Sequence, residues 1–115
     1  MEKKYHNPWT WQDSFGFSQG VEISGYTRVL RCAGQASVDE NGTPVHEGDM
    51  AAQVGQALNN LEAVLKSAGM TFANVARLDV YTTDVDALLA AYGGMVERLG
   101  GNKPASTLLG VARLA

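Results

Sequence analysis

The stretch DMAAQVGQALNNLEAVLKSA, from Asp49 to Ala68, constrains the fold more than any other part of the chain. Met50, Val54, Leu58, Leu61, Leu65 and Ala68 recur at steps of three and four, which places them on one face of a helix. Asp49 suits the N-cap and Gly69 the residue just past the C-cap. The opposite face, with Gln53, Gln56, Asn60, Glu62 and Lys66, reads as solvated. A helix of this kind needs an apolar surface to cover, and the sequence on either side supplies strands.

After the helix, NVARLDVYTT alternates, with Ala76, Leu78 and Val80 on one side and Arg77, Asp79 and Tyr81 on the other. A second helix is expected from the acidic TDVD to about Leu99, with Leu88, Tyr92, Met95 and Leu99 forming its stripe. Gly93 and Gly94 inside it each cost about 0.5 to 1 kcal/mol relative to alanine, so close packing or a kink is expected there. ASTLLGVARL closes the chain as a strand. Before the first helix, FSQGVEIS and RVLRCAGQ are short β-type runs separated by GYT, which predicts a hairpin, and Asn41-Gly42 predicts a tight reversal. The first dozen residues read as irregular, with Trp9 and Trp11 packing a loop onto the sheet.

This order predicts an α+β fold: a mixed β-sheet with two helices packed on one face, in a single domain spanning residues 1–115. The uncovered sheet face would carry Arg77, Asp79 and Tyr81 beside Leu109 or Val111, a half-apolar surface that suits burial against other subunits.

Composition removes several classes of function. The net charge is −3 with scattered basic residues, so nucleic acid is not an expected partner. His6, His46 and the single Cys32 lack metal-ligand spacing, and neither a metal nor a cofactor is expected. The histidines read as surface loop residues and the cysteine as a small buried thiol. No apolar run reaches membrane-spanning length and no secretory leader is evident, so a cytoplasmic location away from membranes is expected.

Four segments carry a resemblance. They are FSQGV at 17–21, CAGQASVDENG at 32–42, the run from Gln53 to Asp84, and PAST followed by VARL near the end. Together they resemble the RidA, or YjgF, family of reactive-intermediate deaminases. The resemblance implies a chorismate mutase-like fold, a homotrimer with a central barrel, and a small organic molecule bound at each subunit interface. In active members an arginine holds the carboxylate of a 2-iminoacid while water attacks the imine carbon and ammonia leaves. Here that motif reads Pro104-Ala105-Ser106-Thr107, with Ser106 where the arginine stands.

By family position the ligand-binding residues are Phe17, Ala33, Gly34, Tyr92, Ser106 and Thr107, with no catalytic residue assigned. Phe17, Ala33 and Tyr92 replace a tyrosine, a serine and an asparagine of the family pattern, which makes the site more apolar. The family's last strand, with a glutamate that positions water, has no counterpart before Ala115, so the C-terminal strand reads as short or missing. Losing the arginine removes a charge-assisted pair worth about 1.5 to 3 kcal/mol, and each 1.4 kcal/mol is about tenfold in affinity. The expectation is a trimeric ligand-binding protein weak or inactive on ordinary 2-iminoacids. The alternative is a hydrolytic imine or enamine deaminase anchored by another residue; Arg31 could supply the charge, although its preferred reading is a surface or subunit-interface arginine. Ribonuclease activity, also attached to the family, is disfavoured by the acidic balance.

Overall fold

The computed structural model describes residues 1–115 as five-residue strands β1 (Glu2–His6) and β2 (Gly20–Ser24), helix α1 (Met50–Ser67), strand β3 (Arg77–Thr82), helix α2 (Val85–Arg98) and strand β4 (Ala105–Gly110). Short 3-10 turns occupy Trp11–Phe15 and Phe72–Asn74.

Both helices end as their sequences dictate. The Asp49 carboxylate accepts a hydrogen bond from the Ala52 N–H and that of Asp84 from Ala87, each satisfying a donor that the first helical turn leaves free. At the end of α1 the Gly69 N–H reaches the Lys66 carbonyl and the Met70 N–H that of Leu65, both at 2.9 Å, while Gly69 takes φ 70°. This is the Schellman closure, and a side chain at Gly69 would be strained.

The core lies between the helices and the β3–β4 pair. Leu58 and Leu65 of α1, Met95 on α2, Leu99 just beyond it and Phe72 are buried together, with Leu78 and Val80 of β3 packed against them. The predicted alternation holds, since Arg77, Asp79 and Tyr81 point out of the opposite, exposed face. β3 and β4 are parallel, with Leu78 opposite Ser106 and Asp79 opposite Thr107. Ser106 and Leu108 therefore lie on the helix side and Thr107 and Leu109 on the open side.

The strands differ from the expected single sheet. The N-terminal residues are not irregular: β1 pairs antiparallel with β2, Tyr5 opposite Val21. Its anchor is distant in sequence. Asn102, buried, donates to the carbonyls of Phe72 and Val75, both at 2.8 Å, and accepts from Lys3 Nζ at 2.6 Å and from the Tyr5 hydroxyl at 2.8 Å. Alternate residues Lys3 and Tyr5 share one face of β1, so strand geometry is what brings both to Asn102. The hairpin expected at GYT does not form: β2 pairs with β1, and RVLRCAGQ takes no strand.

Residues 28–35 consequently join no ladder and are almost wholly exposed. Cys32 is exposed with them, contrary to the buried thiol expected, since no element covers the segment. Two small sheets result, β1–β2 and β3–β4, joined where Ser18 bridges Ala105.

Three smaller expectations also change. β4 ends at Gly110 rather than running to Leu114; the Val111 N–H still reaches the Thr82 carbonyl at 2.8 Å, and Gly110 packs against Val85. The polar face of α1 is not merely solvated: Gln53 donates to the His46 carbonyl, Gln56 to Val38, and Asn60 to Ala36 and Val38. These side chains hold the loop before the helix by satisfying its backbone acceptors. At Gly93 and Gly94 a β-carbon would meet nothing within 4 Å, so close packing within the chain does not account for them, and the helix assignment of α2 runs through both.

Candidate functional site

The 3-10 turn Trp11–Phe15 ends at Gly16, whose φ of 73° reverses the chain and whose α-carbon sits against Val96 of α2. The turn is thereby set beside the helix. Trp11 meets Phe15 at 6.4 Å and 72°, and Phe17 at 5.9 Å and 73°, between ring centroids and planes. Such edge-to-face contacts are the preferred arrangement of aromatic quadrupoles.

These rings form one side of a cavity of about 280 Å³. Tyr92 completes its aromatic wall, and Val85, Leu89 and Leu108 add aliphatic surface. Ser106 supplies a hydroxyl from β4. No charged side chain lines it.

The two polar groups differ in what they have left to offer. The Ser106 hydroxyl donates to the Leu78 carbonyl at 2.6 Å, so its proton is committed and its oxygen remains as an acceptor. The Tyr92 hydroxyl makes no hydrogen bond within the chain, and burial raises its pKa above the usual 10.0 by disfavouring the phenolate. It is a neutral group throughout the physiological range.

Of the six positions predicted from the sequence, the fold brings Phe17, Tyr92 and Ser106 together on this cavity. It does not bring the other three. Thr107 lies on the opposite face of β4, where its hydroxyl accepts from Arg77 at 2.9 Å, because neighbouring strand residues alternate sides. Ala33 and Gly34 lie in the exposed segment and Arg31 with them, outside the cavity lining. Arg77, the guanidinium on β3, is on the open face and paired with Asp79 at 3.0 Å.

Sequence reasoning missed Trp11 and Phe15 as lining residues. The signal was the spacing of Trp11, Phe15 and Phe17, which one turn followed by a reversal folds into a cluster. A larger cleft of about 450 Å³ runs between α1 and α2 past Ala51, Gly55, Gly93 and Gly94, and contains none of the predicted positions. No cluster of three or more histidine, cysteine, aspartate or glutamate residues could hold a metal ion, and no helix is long and apolar enough to cross a membrane.

The fold matches known proteins. Residues 12–115 match the family described as endoribonuclease L-PSP, and the chain belongs to that family. Among its relatives, a RutC family protein of Pyrococcus horikoshii is 30% identical over 98 residues, covering 85% of this chain and 75% of the relative. The 2-iminobutanoate/2-iminopropanoate deaminase of Rattus norvegicus is 31% identical over 98 residues, covering 85% of this chain and 69% of the rat protein. A crystal structure of a Rid family protein of unknown function from Yersinia pestis superposes with a TM-score of 0.88 at 37% identity, covering 100% of this chain and 90% of that one.

Proposed function

We propose that this chain is a Rid-type trimer that binds a small organic molecule in three equivalent interface pockets and hydrolyses ordinary 2-iminoacids weakly or not at all. The observation that carries this reading is the lining of the cavity at Phe17, Tyr92 and Ser106, which holds no charged group. A 2-iminoacid presents a carboxylate, and a carboxylate taken into an apolar pocket needs several donors or a cation to replace its hydration. At the position of the family arginine, Ser106 has already given its proton to Leu78.

Two surfaces support assembly. The open face of β3–β4 exposes Tyr81 by 55% and Leu109 by 47% beside the Arg77–Asp79 pair, a half-apolar patch without cover in one chain. Residues 28–35 leave their backbone groups outside any ladder, free to be paired by another subunit. On this reading Ala33 and Gly34 reach the pocket of a neighbouring subunit, which accounts for their distance from Phe17, Tyr92 and Ser106 within one chain.

Sedimentation should give three times the 12.2 kDa protomer mass, and Leu109→Asp should lower it. In the same preparation, 2-iminopropionate generated in place by an amino-acid oxidase should disappear at close to the enzyme-free rate. A monomeric wild type, or a large acceleration, would overturn the corresponding half of the proposal.

A further inference from the structure

The lining of the cavity is aromatic as well as apolar. Trp11, Phe15, Phe17 and Tyr92 bound it, and Trp11 stands near-perpendicular to both phenylalanines with ring centroids about 6 Å apart. Aromatic faces carry negative potential, and rings set at right angles can present two such faces to one small group. The Ser106 oxygen, its proton committed to Leu78, adds an acceptor. The remaining donors, the Tyr92 hydroxyl and the Trp11 indole N–H, are neutral.

The charges nearest in sequence are of one kind. Asp13 lies between Trp11 and Phe15, and Asp84 and Asp86 flank Val85. The start of α2 would otherwise favour an anion through its dipole, but the Asp84 carboxylate already accepts from the Ala87 N–H there, with Asp86 in the same turn. Lys103, the nearby cation, faces Asp13 at 3.7 Å.

We propose that the ligand of this pocket carries an alkylated ammonium group, tertiary or quaternary, held by the aromatic wall through cation–π attraction, with the Ser106 oxygen available to any N–H it retains. This rests on the reading of the cavity as the ligand site and gives that site a substrate class. A quaternary ammonium needs no acceptor partner and has weak hydration, so a wall of ring faces suits it where a carboxylate would be left bare.

The test compares three probes by Trp11 emission, in a Trp9→Phe background that removes the other indole. Choline carries the charge, 3,3-dimethylbutan-1-ol is its neutral carbon isostere, and propionate carries the opposite charge. Choline should bind about fivefold more tightly than the isostere, the scale of a cation–π contact with rings as exposed as Trp11 and Phe15, with propionate weakest. Phe17→Leu should weaken choline several-fold and leave the isostere within about twofold. Equal affinity for choline and the isostere would overturn the ammonium assignment and leave the apolar pocket standing. Tightest binding by propionate would overturn both. Silence from all three would overturn the assignment, with imine hydrolysis then judging the pocket separately.

Discussion

Replacing Asn102 by alanine should destabilise the protein by about 3 kcal/mol, more than any single substitution on the surface. The side chain donates to two backbone carbonyls, of Phe72 and Val75, and accepts from Lys3 and Tyr5. Each buried polar group left without a partner costs about 1 to 3 kcal/mol. The two carbonyls lose their donor in a site that is nine-tenths buried, whereas Lys3 and the Tyr5 hydroxyl can turn to solvent. Counting the carbonyls at the lower half of that range, with a small cavity term, gives about 3 kcal/mol. That is a large share of the roughly 5 to 15 kcal/mol available to a domain. Urea unfolding at fixed protomer concentration measures the loss, and amide exchange should show β1 opening first. Lys3→Met, which leaves both carbonyls satisfied, should cost about 1 kcal/mol or less. An Asn102→Ala protein within 1 kcal/mol of wild type, with β1 still protected, would refute the view that this residue holds the N-terminal strand.

Gly93→Ala and Gly94→Ala should each stabilise by up to about 1 kcal/mol, since both sites are helical and open; thermal unfolding measures it, and a loss would mean that the cleft between the helices closes on something. Gly16→Ala should cost about 1 to 3 kcal/mol, from a left-handed φ and a β-carbon 2.9 Å from Val96, and should loosen Trp11 as seen in its emission. The Tyr92 pKa is raised in the folded state, so the folded protein holds that proton more strongly than the unfolded chain. Stability linked to it is complete below pH 10 and falls as pH rises beyond. Denaturation midpoints across that range should show the fall in wild type and a smaller one in Tyr92→Phe.

What could be read from the sequence divides along a physical line. Helix α1 was legible to its caps because Asp49, the apolar stripe and Gly69 are local signals, each acting within a turn or two. The alternation of β3 was legible for the same reason. β1 was not, because its stability comes from Asn102, about a hundred residues away. RVLRCAGQ has strand composition, yet β-propensity expresses fit to a neighbouring strand, and within one chain this segment pairs with none. At the site, Phe17, Tyr92 and Ser106 were reached by resemblance to a family motif. Thr107 was grouped with Ser106 although strand alternation, already visible in the sequence, sends the two to opposite faces. Trp11 and Phe15 were missed because a 3-10 turn of five residues leaves too little periodicity to recognise.

The most direct measurement is ammonia release from 2-iminopropionate by wild type and by Ser106→Arg, each against the enzyme-free rate and each shown to have the same oligomeric mass. Wild type near background with the arginine variant clearly faster is the expected result, and it places the lost activity at the carboxylate anchor. Wild type far above background, with Ser106→Arg no better, would contradict it: another group would then be holding the carboxylate, and Arg31 would be the first to replace.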